Sequence, residues 1–417
     1  MAERRGQRII AILDIGTSKV AAAVLLAGDG TGDATPPSLI GLGLQRSKGV
    51  KAGVLTDLDD AEGAVRAAIS QAERAAGVHL ERVIVSVACG RIKSQHFTAS
   101  ANVATGVVSD RDIDEINSGA REYAERDGRT LLHLNRLGFR LDGAAGARDP
   151  RGLAARHVSA QLHAVTADEA PLRNLQLLIE RCYLGCDGLV AAPYASGLAA
   201  TTAEERELGV TCIDMGAGTT SIALFTEGRF AGAEVIPVGS QHMTFDIAKS
   251  LQTPLVEAER IKTLYGTLVT AQSDEHELVP YPLAGDEDDA TNETTKARLT
   301  GIIRPRMAQI LSLVRERLAA NGAAAYAGEK VVVTGGASQI LGTAEFTANE
   351  LGRPVRLGRP SPLPGFTEST AGPQFATLAG LALSAVARDE DFNPARTREG
   401  LAQGYLNRVG SWLKGGF

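Results

Sequence analysis

Two stretches of the chain join an aspartate at the end of an apolar run to a burst of small and hydroxyl residues. In Val210 to Phe225, VTCIDMGAGTTSIALF, Asp214 is followed by Gly216, Ala217, Gly218, Thr219 and Thr220, and then by a second apolar run. In Arg8 to Val24, RIIAILDIGTSKVAAAV, Asp14 is followed by Gly16, Thr17, Ser18 and Lys19. Apolar runs bounded by glycine predict buried strands. The glycines allow positive φ in the turn and let backbone N–H groups approach a ligand closely. Such a hairpin tip can wrap a phosphate with backbone and hydroxyl donors while the aspartate faces the accompanying metal ion. Either copy alone reads equally as an ordinary tight hairpin. Two copies, 200 residues apart from Asp14 to Asp214, predict two similar half-molecules closing on one nucleotide. Lys19 adds a cation within reach of the phosphates, although a lysine at a strand start is commonly just solvated.

Two further segments bear on the same ligand. Lys330 to Ile340, KVVVTGGASQI, predicts a buried strand, Gly335-Gly336 and a helix start. Without side chains at the glycines, a flat base and ribose can lie against the backbone there. Alone it reads as a plain strand-to-helix turn. Glu259 and Lys262 stand three apart on a predicted helix from Leu255 to Tyr265. They read either as a surface ion pair worth under ~1 kcal/mol or as a pair that grips a ribose.

Composition narrows the class. The 417 residues allow two to four domains. A hydrophobic content of 44% with 22% charged residues is that of a soluble globular protein. A net charge of −6 argues against a nucleic-acid binder, which needs basic surface. Cys89, Cys182, Cys186 and Cys212 lack zinc-site spacing and are expected as reduced thiols in a cytoplasmic protein. The apolar run near the N-terminus is too short for a signal peptide, and no run reaches the ~18–20 apolar residues of a spanning helix.

The elements that must position these groups follow in order. A strand is predicted over Ser38–Leu44, a helix over Asp57–Ala76 with Thr56 as N-cap, and a strand over Arg82–Val87. From Ser86 to Val165 the pattern changes to short strands (Asn102–Val108, Leu131–Phe139, His157–Val165) around a polar helix opened by Ser109 and Asp112 as a capping box. This reads as a small α+β insert. A helix over Ala167–Cys182 and a small-residue helix after Pro193 lead across to the second half. There the Val210 hairpin is joined by a strand over Arg229–Ile236 and helices over Gln241–Leu251 and Leu255–Tyr265. Gln272–Lys296 is polar and acidic, expected as an exposed loop or partly ordered strand pair. A long helix over Leu299–Ala320 carries Pro305 in its first turns, and Phe375–Arg388 is a helix of small residues.

The last fourteen residues, GYLNRVGSWLKGGF, differ from the rest. At helical spacing, Tyr405, Leu406, Val409, Trp412, Leu413 and Phe417 share one face, with Arg408 and Lys414 on the other. A basic amphipathic segment carrying Trp and Leu predicts a helix lying in a membrane interface. Docking on the protein body is the alternative.

The two hairpins and the strand–Gly-Gly turn, in this order, resemble the actin-like ATPase superfamily. The insert after RVIVSV, ERELGVTCIDMGAGT, VEAERIK, VVVTGGASQI and the terminal VGSWLK resemble the FtsA family of bacterial cell-division proteins along essentially the whole chain. The resemblance implies an α/β, actin-like (ribonuclease H-like) two-lobed fold with a small α+β insert, 1C, and a C-terminal amphipathic helix. Its implied parts are 1A (1–85 and 166–196), 1C (86–165), 2A (197–240 and 301–388), 2B (241–300), a linker (389–403) and the amphipathic helix (404–417).

Residue by residue, Asp14, Gly16, Thr17, Ser18 and Lys19 match the family's first phosphate motif. Asp214, Gly216, Gly218, Thr219 and Thr220 match the second. Glu259 and Lys262 match its ribose pair, and Gly335, Gly336 and Ala337 its adenosine motif. Ala217 departs from a glycine common there, and the acidic loop is divergent. The resemblance implies ATP with Mg2+ near Asp14 and Asp214, slow or absent hydrolysis, self-polymerisation, and tethering of FtsZ polymers to the cytoplasmic face of the cell membrane at the division site. It further implies capture of the FtsZ C-terminal peptide by 2B with Arg306 as a contact, attachment to anionic lipid, and recruitment of later division proteins through 1C. No catalytic residue is assigned. The rival readings are a sugar-kinase-like phosphotransferase, for which no general base can be named, and a pilus-type actin-like adaptor. Neither explains the tail.

Overall fold

The chain builds the same five-stranded sheet twice. The computed structural model describes residues 7–28, 36–147, 149–285, 291–320 and 326–387. The expected linker and the amphipathic segment with Tyr405, Leu406, Arg408, Val409, Trp412, Leu413, Lys414 and Phe417 lie outside the described residues. So does 286–290 of the acidic stretch.

In lobe I, β1 (Gln7–Ile15), β2 (Lys19–Gly28) and β3 (Ser38–Arg46) form an antiparallel meander. A small hairpin, β4 (Val50–Lys51) and β5 (Val54–Leu55), leads to α1 (Leu58–Ala76) and β6 (Arg82–Val87), which lies parallel to β1. The chain then leaves the lobe for an insert: β7 (Lys93–Asn102), α2 (Asp110–Ala124), β8 (Arg129–Leu141), β9 (Ala144–Ala147) and β10 (His157–Asp168), its sheet ordered β7-β10-β8-β9. α3 (Glu169–Arg181) and β11 (Gly185–Ala191) return and complete the order β11-β6-β1-β2-β3.

After α4 (Ala192–Ala200) and α5 (Ala203–Leu208), lobe II repeats the plan with β12 (Val210–Met215), β13 (Thr220–Thr226) and β14 (Arg229–Ile236). α6 (Gln241–Leu251), α7 (Leu255–Tyr265), the pair β15 (Leu278–Pro282) and β16 (Thr291–Thr295), and α8 (Lys296–Ala319) intervene. Then β17 (Lys330–Thr334), α9 (Thr343–Leu351) and β18 (Val355–Leu357) give the order β14-β13-β12-β17-β18 before α10 (Ala376–Val386). The two sheets share strand order and sense. The fold is α/β, actin-like and two-lobed, with an α+β insert.

Packing explains the sequence pattern. β2 reads KVAAAVLLAG and is almost wholly buried, because helices cover both faces of its sheet. On one face Ala61, Val65, Ala68 and Ala72 of α1 lie close against β3, where a Cβ at Gly43 would sit 1.8 Å from the Ala68 carbonyl oxygen. On the other lies α10, whose Leu378, Leu381 and Ala382 join Ile12, Ala21 and Leu25 in one core. The two halves exchange helices. Besides packing on each other, α4 leaves lobe I and packs on β12 and β13, while α10 leaves lobe II and packs on β1 and β6. They cross each other at Gly380, whose missing Cβ would lie 1.7 Å from the Ala195 carbonyl oxygen.

Several expectations shift. The N-cap of α1 is Asp57, whose carboxylate accepts from Asp59 and Asp60 N–H at 3.0 Å each, not Thr56. The first insert strand is Lys93–Asn102, not Asn102–Val108. It is an edge strand, half exposed along its length, so its residues KSQHFTASAN lack an apolar signature. The long helix begins at Lys296, capped by Thr295, which leaves Pro305 inside it rather than in its first turns. After Gly335 the chain makes a short 3-10 turn, Gly336–Gln339, and the α-helix starts only at Thr343. Among the described residues no helix is long and apolar enough to cross a membrane, and all four cysteines are free.

Candidate nucleotide site

Both hairpin tips open into one cleft between the lobes, with a cavity of about 510 Å³. The β1–β2 and β12–β13 turns are built alike. Gly16 N–H donates to the Lys19 carbonyl at 2.9 Å, and Gly216 N–H donates to the Thr219 carbonyl at 2.9 Å. In each turn a Cβ on the glycine would crowd that carbonyl, at 3.1 and 3.0 Å, so the tightness of the turn depends on glycine. The tips also touch. A Cβ at Gly218 would lie 2.2 Å from Thr17 Oγ1, and Thr17 in turn accepts from Gly53 N–H at 3.3 Å.

At the floor of the cleft the two aspartates share one field. Asp14, partly buried at the end of β1, accepts from Ser86 Oγ at 2.6 Å. Burial raises its pKa, opposed by the Ser86 bond and the charge of Lys19. Asp214, at the matching place on β12, is pushed up to about 6 by burial, opposed by Ser196, with the Asp14 charge pushing the same way as burial. Thr377 also donates to it at 3.2 Å. Lys19 lies over the Phe375 ring, 4.0 Å from its centroid, and donates to the Gln374 carbonyl. Burial lowers its pKa, while Asp14 and Asp214 hold it up. Two repelling carboxylates, desolvated and balanced by one lysine, form a site that a divalent cation would relieve. Among the described residues no group of three or more His, Cys, Asp or Glu could hold a metal by itself. That donor set suits Mg2+, which takes one or two carboxylates, keeps waters and draws its other ligands from phosphate. Asp14 and Asp214 are the residues that would hold it.

Further residues of lobe II complete the lining. Gly335, Gly336, Ala337 and Ile340 line the same cavity as Glu259, Lys262 and Gly266. Gly335 has φ +86°, and a Cβ there would lie 2.3 Å from Asp214 Oδ1, so the turn can adopt this path only with glycine. A Cβ at Gly336 would meet only Gln374 Cβ, at 3.8 Å, and otherwise open cleft. Glu259 and Lys262 are not a surface ion pair. The Lys262 side chain is 7% exposed and donates to Glu259 at 2.7 Å, Thr244 Oγ1 at 2.9 Å and the Ser240 carbonyl at 3.3 Å. Its buried ammonium fixes the Glu259 carboxylate, which remains half exposed to the cleft as an acceptor for hydroxyls.

Of the residues expected to hold nucleotide, Asp14, Gly16, Thr17, Ser18, Lys19, Asp214, Gly216, Gly218, Thr219, Glu259, Lys262, Gly335, Gly336 and Ala337 all line this cleft. Thr220 does not. It is fully buried, and its hydroxyl donates to the Val238 carbonyl at 2.8 Å, a structural bond at the start of β13. Arg306 lies elsewhere, in the middle of α8, and holds Asp246 of α6 through two bonds of 2.6 and 2.8 Å. Sequence reading missed Ser86, Ser196 and Thr377, the hydroxyls that hold the aspartates. A lone serine within RVIVSV, at the carboxyl end of a parallel strand, is the signal that pointed to the first.

Comparison with known proteins decides the family. The family model described as "Cell division protein FtsA" matches residues 211–380, and "SHS2 domain inserted in FTSA" matches residues 89–166. A "Cell division protein FtsA" of Agrobacterium fabrum is 37% identical over 98% of this chain and 95% of its own length. The chain belongs to the FtsA family. Relatives of the same description from Neisseria meningitidis (32% identical, 99% of both chains) and Escherichia coli K12 (30% identical, 91% of both chains) agree. Among solved structures, a "PilM-PilN type IV pilus biogenesis complex" superposes with a TM-score of 0.65 at 18% identity, covering 91% of this chain and 99% of that one. That likeness bears on the fold alone.

Proposed function

We propose that this FtsA-family chain binds Mg·ATP between its lobes and tethers FtsZ polymers to the cytoplasmic face of the cell membrane at the division site. The observation that carries the reading is the meeting of two like-built hairpin tips, each following an aspartate at a strand end, in one cleft. The phosphates would lie against Gly16–Lys19 and Gly216–Thr219, the ribose at Glu259, and the base along Gly335–Ala337. Mg2+ supplies charge neutralisation between the phosphates and the Asp14–Asp214 pair. Nucleotide contacting both lobes favours their closed arrangement. Hydrolysis is slow or absent, as no general base beyond the metal-facing aspartates is assigned.

The terminal segment 404–417 supplies the membrane contact, with its apolar face formed by Tyr405, Leu406, Val409, Trp412, Leu413 and Phe417. One short amphipathic helix binds weakly and reversibly, whereas a filament presents many, so attachment depends on self-polymerisation. The 2B region (241–300) with Arg306 captures the FtsZ C-terminal peptide, and the insert receives later division proteins. The test is co-sedimentation of FtsZ with anionic liposomes in ATP, using the full chain and a chain ending at Gln403. FtsZ pelleting with the full chain alone supports the tether. Equal pelleting with both chains overturns the role of the tail, and no pelleting with either overturns the tether.

A further inference from the structure

The segment that enters α10 runs along the nucleotide cleft, and its Pro373, Gln374 and Thr377 line the cavity. Its backbone is pinned on both sides. Gly335 N–H donates to the Pro373 carbonyl at 3.3 Å, and Phe375 N–H donates to the Gly372 carbonyl at 3.0 Å. Lys19 donates to the Gln374 carbonyl, and the Thr377 hydroxyl donates to Asp214 at 3.2 Å. These bonds fix the Gln374 Cβ beside Gly336, 3.8 Å from where a Cβ on that glycine would stand.

The far end of the Gln374 side chain has no such anchor. Its Oε1 is buried, with no hydrogen-bond partner among the described residues. The amide is folded back on Gly372, where a Cβ would stand 2.3 Å from Oε1 and 2.7 Å from Nε2, so this resting pose depends on glycine there. A buried carbonyl oxygen without a donor is costly, and native proteins seldom keep one without a function. An amide oxygen only accepts, so the missing partner carries an N–H or O–H. Phosphate oxygens cannot serve, and the ribose hydroxyls are assigned to Glu259. Gln339, the other amide at this end of the cleft, already donates to the Gly336 carbonyl at 3.4 Å. What is left on a nucleotide is the base.

We propose that Gln374 is the residue that selects the base. Its amide turns out from Gly372 toward a base lying on Gly335–Ala337, where Oε1 accepts from the exocyclic amine of adenine and Nε2 donates to the ring nitrogen N7. This rests on the nucleotide reading of the cleft and adds the source of its specificity. Adenine offers a donor and an acceptor side by side, the N6 amine and N7, which a glutamine amide matches at both points. Guanine offers two acceptors on that edge, O6 and N7, of which the amide satisfies one. Gly336 leaves the room, since a Cβ there would meet only Gln374.

The test is calorimetric titration of the full chain, in Mg2+, with ATP, with purine riboside 5′-triphosphate, which lacks the amine, and with 7-deaza-ATP, which lacks the N7 acceptor. The parent should bind ATP about tenfold more tightly than either analogue, the loss expected when one arm of a bidentate pair is removed. Gln374→Met keeps the length of the side chain without the amide, and should bind all three without preference at the parent's urea midpoint. The comparison of nucleotides on the parent decides the matter even where that variant does not fold. No binding of any nucleotide by the parent overturns the nucleotide reading itself. Equal binding of the three by the parent overturns Gln374 alone and leaves the cleft a nucleotide site. So does a preference that persists in folded Gln374→Met, or one that is lost in Gln339→Met instead.

Discussion

Replacing Gly380 by Ala sets two opposed effects against each other in one side chain. Gly380 lies inside α10, where the change to Ala is worth up to ~1 kcal/mol of helix propensity. Its Cβ, however, would stand 1.7 Å from the Ala195 carbonyl oxygen and 2.2 Å from its carbon. Those are backbone atoms, so no side chain can swing aside, and α10 must move from α4 by more than an ångström. Overpacking of that kind costs ~1–3 kcal/mol, and rigid neighbours place this case at the upper end. The net expectation is destabilisation by about 2 kcal/mol, read as a lower urea midpoint at unchanged slope. Gly63→Ala in α1 and Gly301→Ala in α8 are the controls. A Cβ at either meets nothing within 4 Å, so propensity alone acts and each should gain ~0.5–1 kcal/mol. The consequence reaches the cleft, because Ser196 of α4 and Thr377 of α10 both hydrogen-bond Asp214. Gly380→Ala should therefore weaken Mg·ATP binding too, while the controls leave it unchanged. A Gly380→Ala protein as stable as the parent, with the controls gaining, would refute the crossing of these helices as the tight point between the lobes.

Asp214→Asn should split stability from binding. A carboxyl raised from 3.8 to about 6 costs the folded state up to ~3 kcal/mol above pH 6 and nothing below 3.8. The amide removes that cost, so the variant should unfold later than the parent at pH 8 yet bind Mg·ATP at least tenfold more weakly; loss of both properties contradicts the metal-facing role. Glu205 behaves in the opposite sense. Arg356, chiefly, and Lys330 hold it down from 4.5 to about 2. Its contribution is complete above pH 4.5 and is lost as pH falls through about 2. Glu205→Gln should cost at most about 3 kcal/mol at pH 7, and the gap to the parent should close on acidification in pH-dependent unfolding. A gap that is constant with pH excludes the ion-pair account. Arg306→Ala frees the Asp246 carboxylate and should lower capture of the FtsZ C-terminal peptide, measured by fluorescence anisotropy, without affecting ATP binding.

The duplicated plan was legible because its signals are local. Asp14 and Asp214 each close a buried strand, and Gly16 and Gly216 each make a turn that a side chain would crowd. Boundaries set by long-range packing were not legible. β7 is polar because it is an edge, and one of its ring contacts, His96 on Tyr326, is with a residue more than 200 positions away in sequence. Pro305 sits inside α8 because tertiary packing of Ile303 and Met307 outweighs its propensity. Thr220 fits the phosphate pattern in sequence, but strand alternation turns its hydroxyl to Val238. The burial of Lys262 that anchors Glu259 depends on Ser240 and Thr244, contributed by a different helix end.

The most direct test of the central claim is calorimetric titration of the full chain with Mg·ATP, beside a Gly336→Arg variant. Gly336 faces open cleft, with only Gln374 Cβ at 3.8 Å, so arginine fits without disturbing the fold while filling the place assigned to the nucleoside. One ATP per parent chain, and no binding heat from a variant with the parent's urea midpoint, is the predicted result. Undiminished binding by the folded variant, or none by the parent, contradicts a nucleotide seated between the two hairpins.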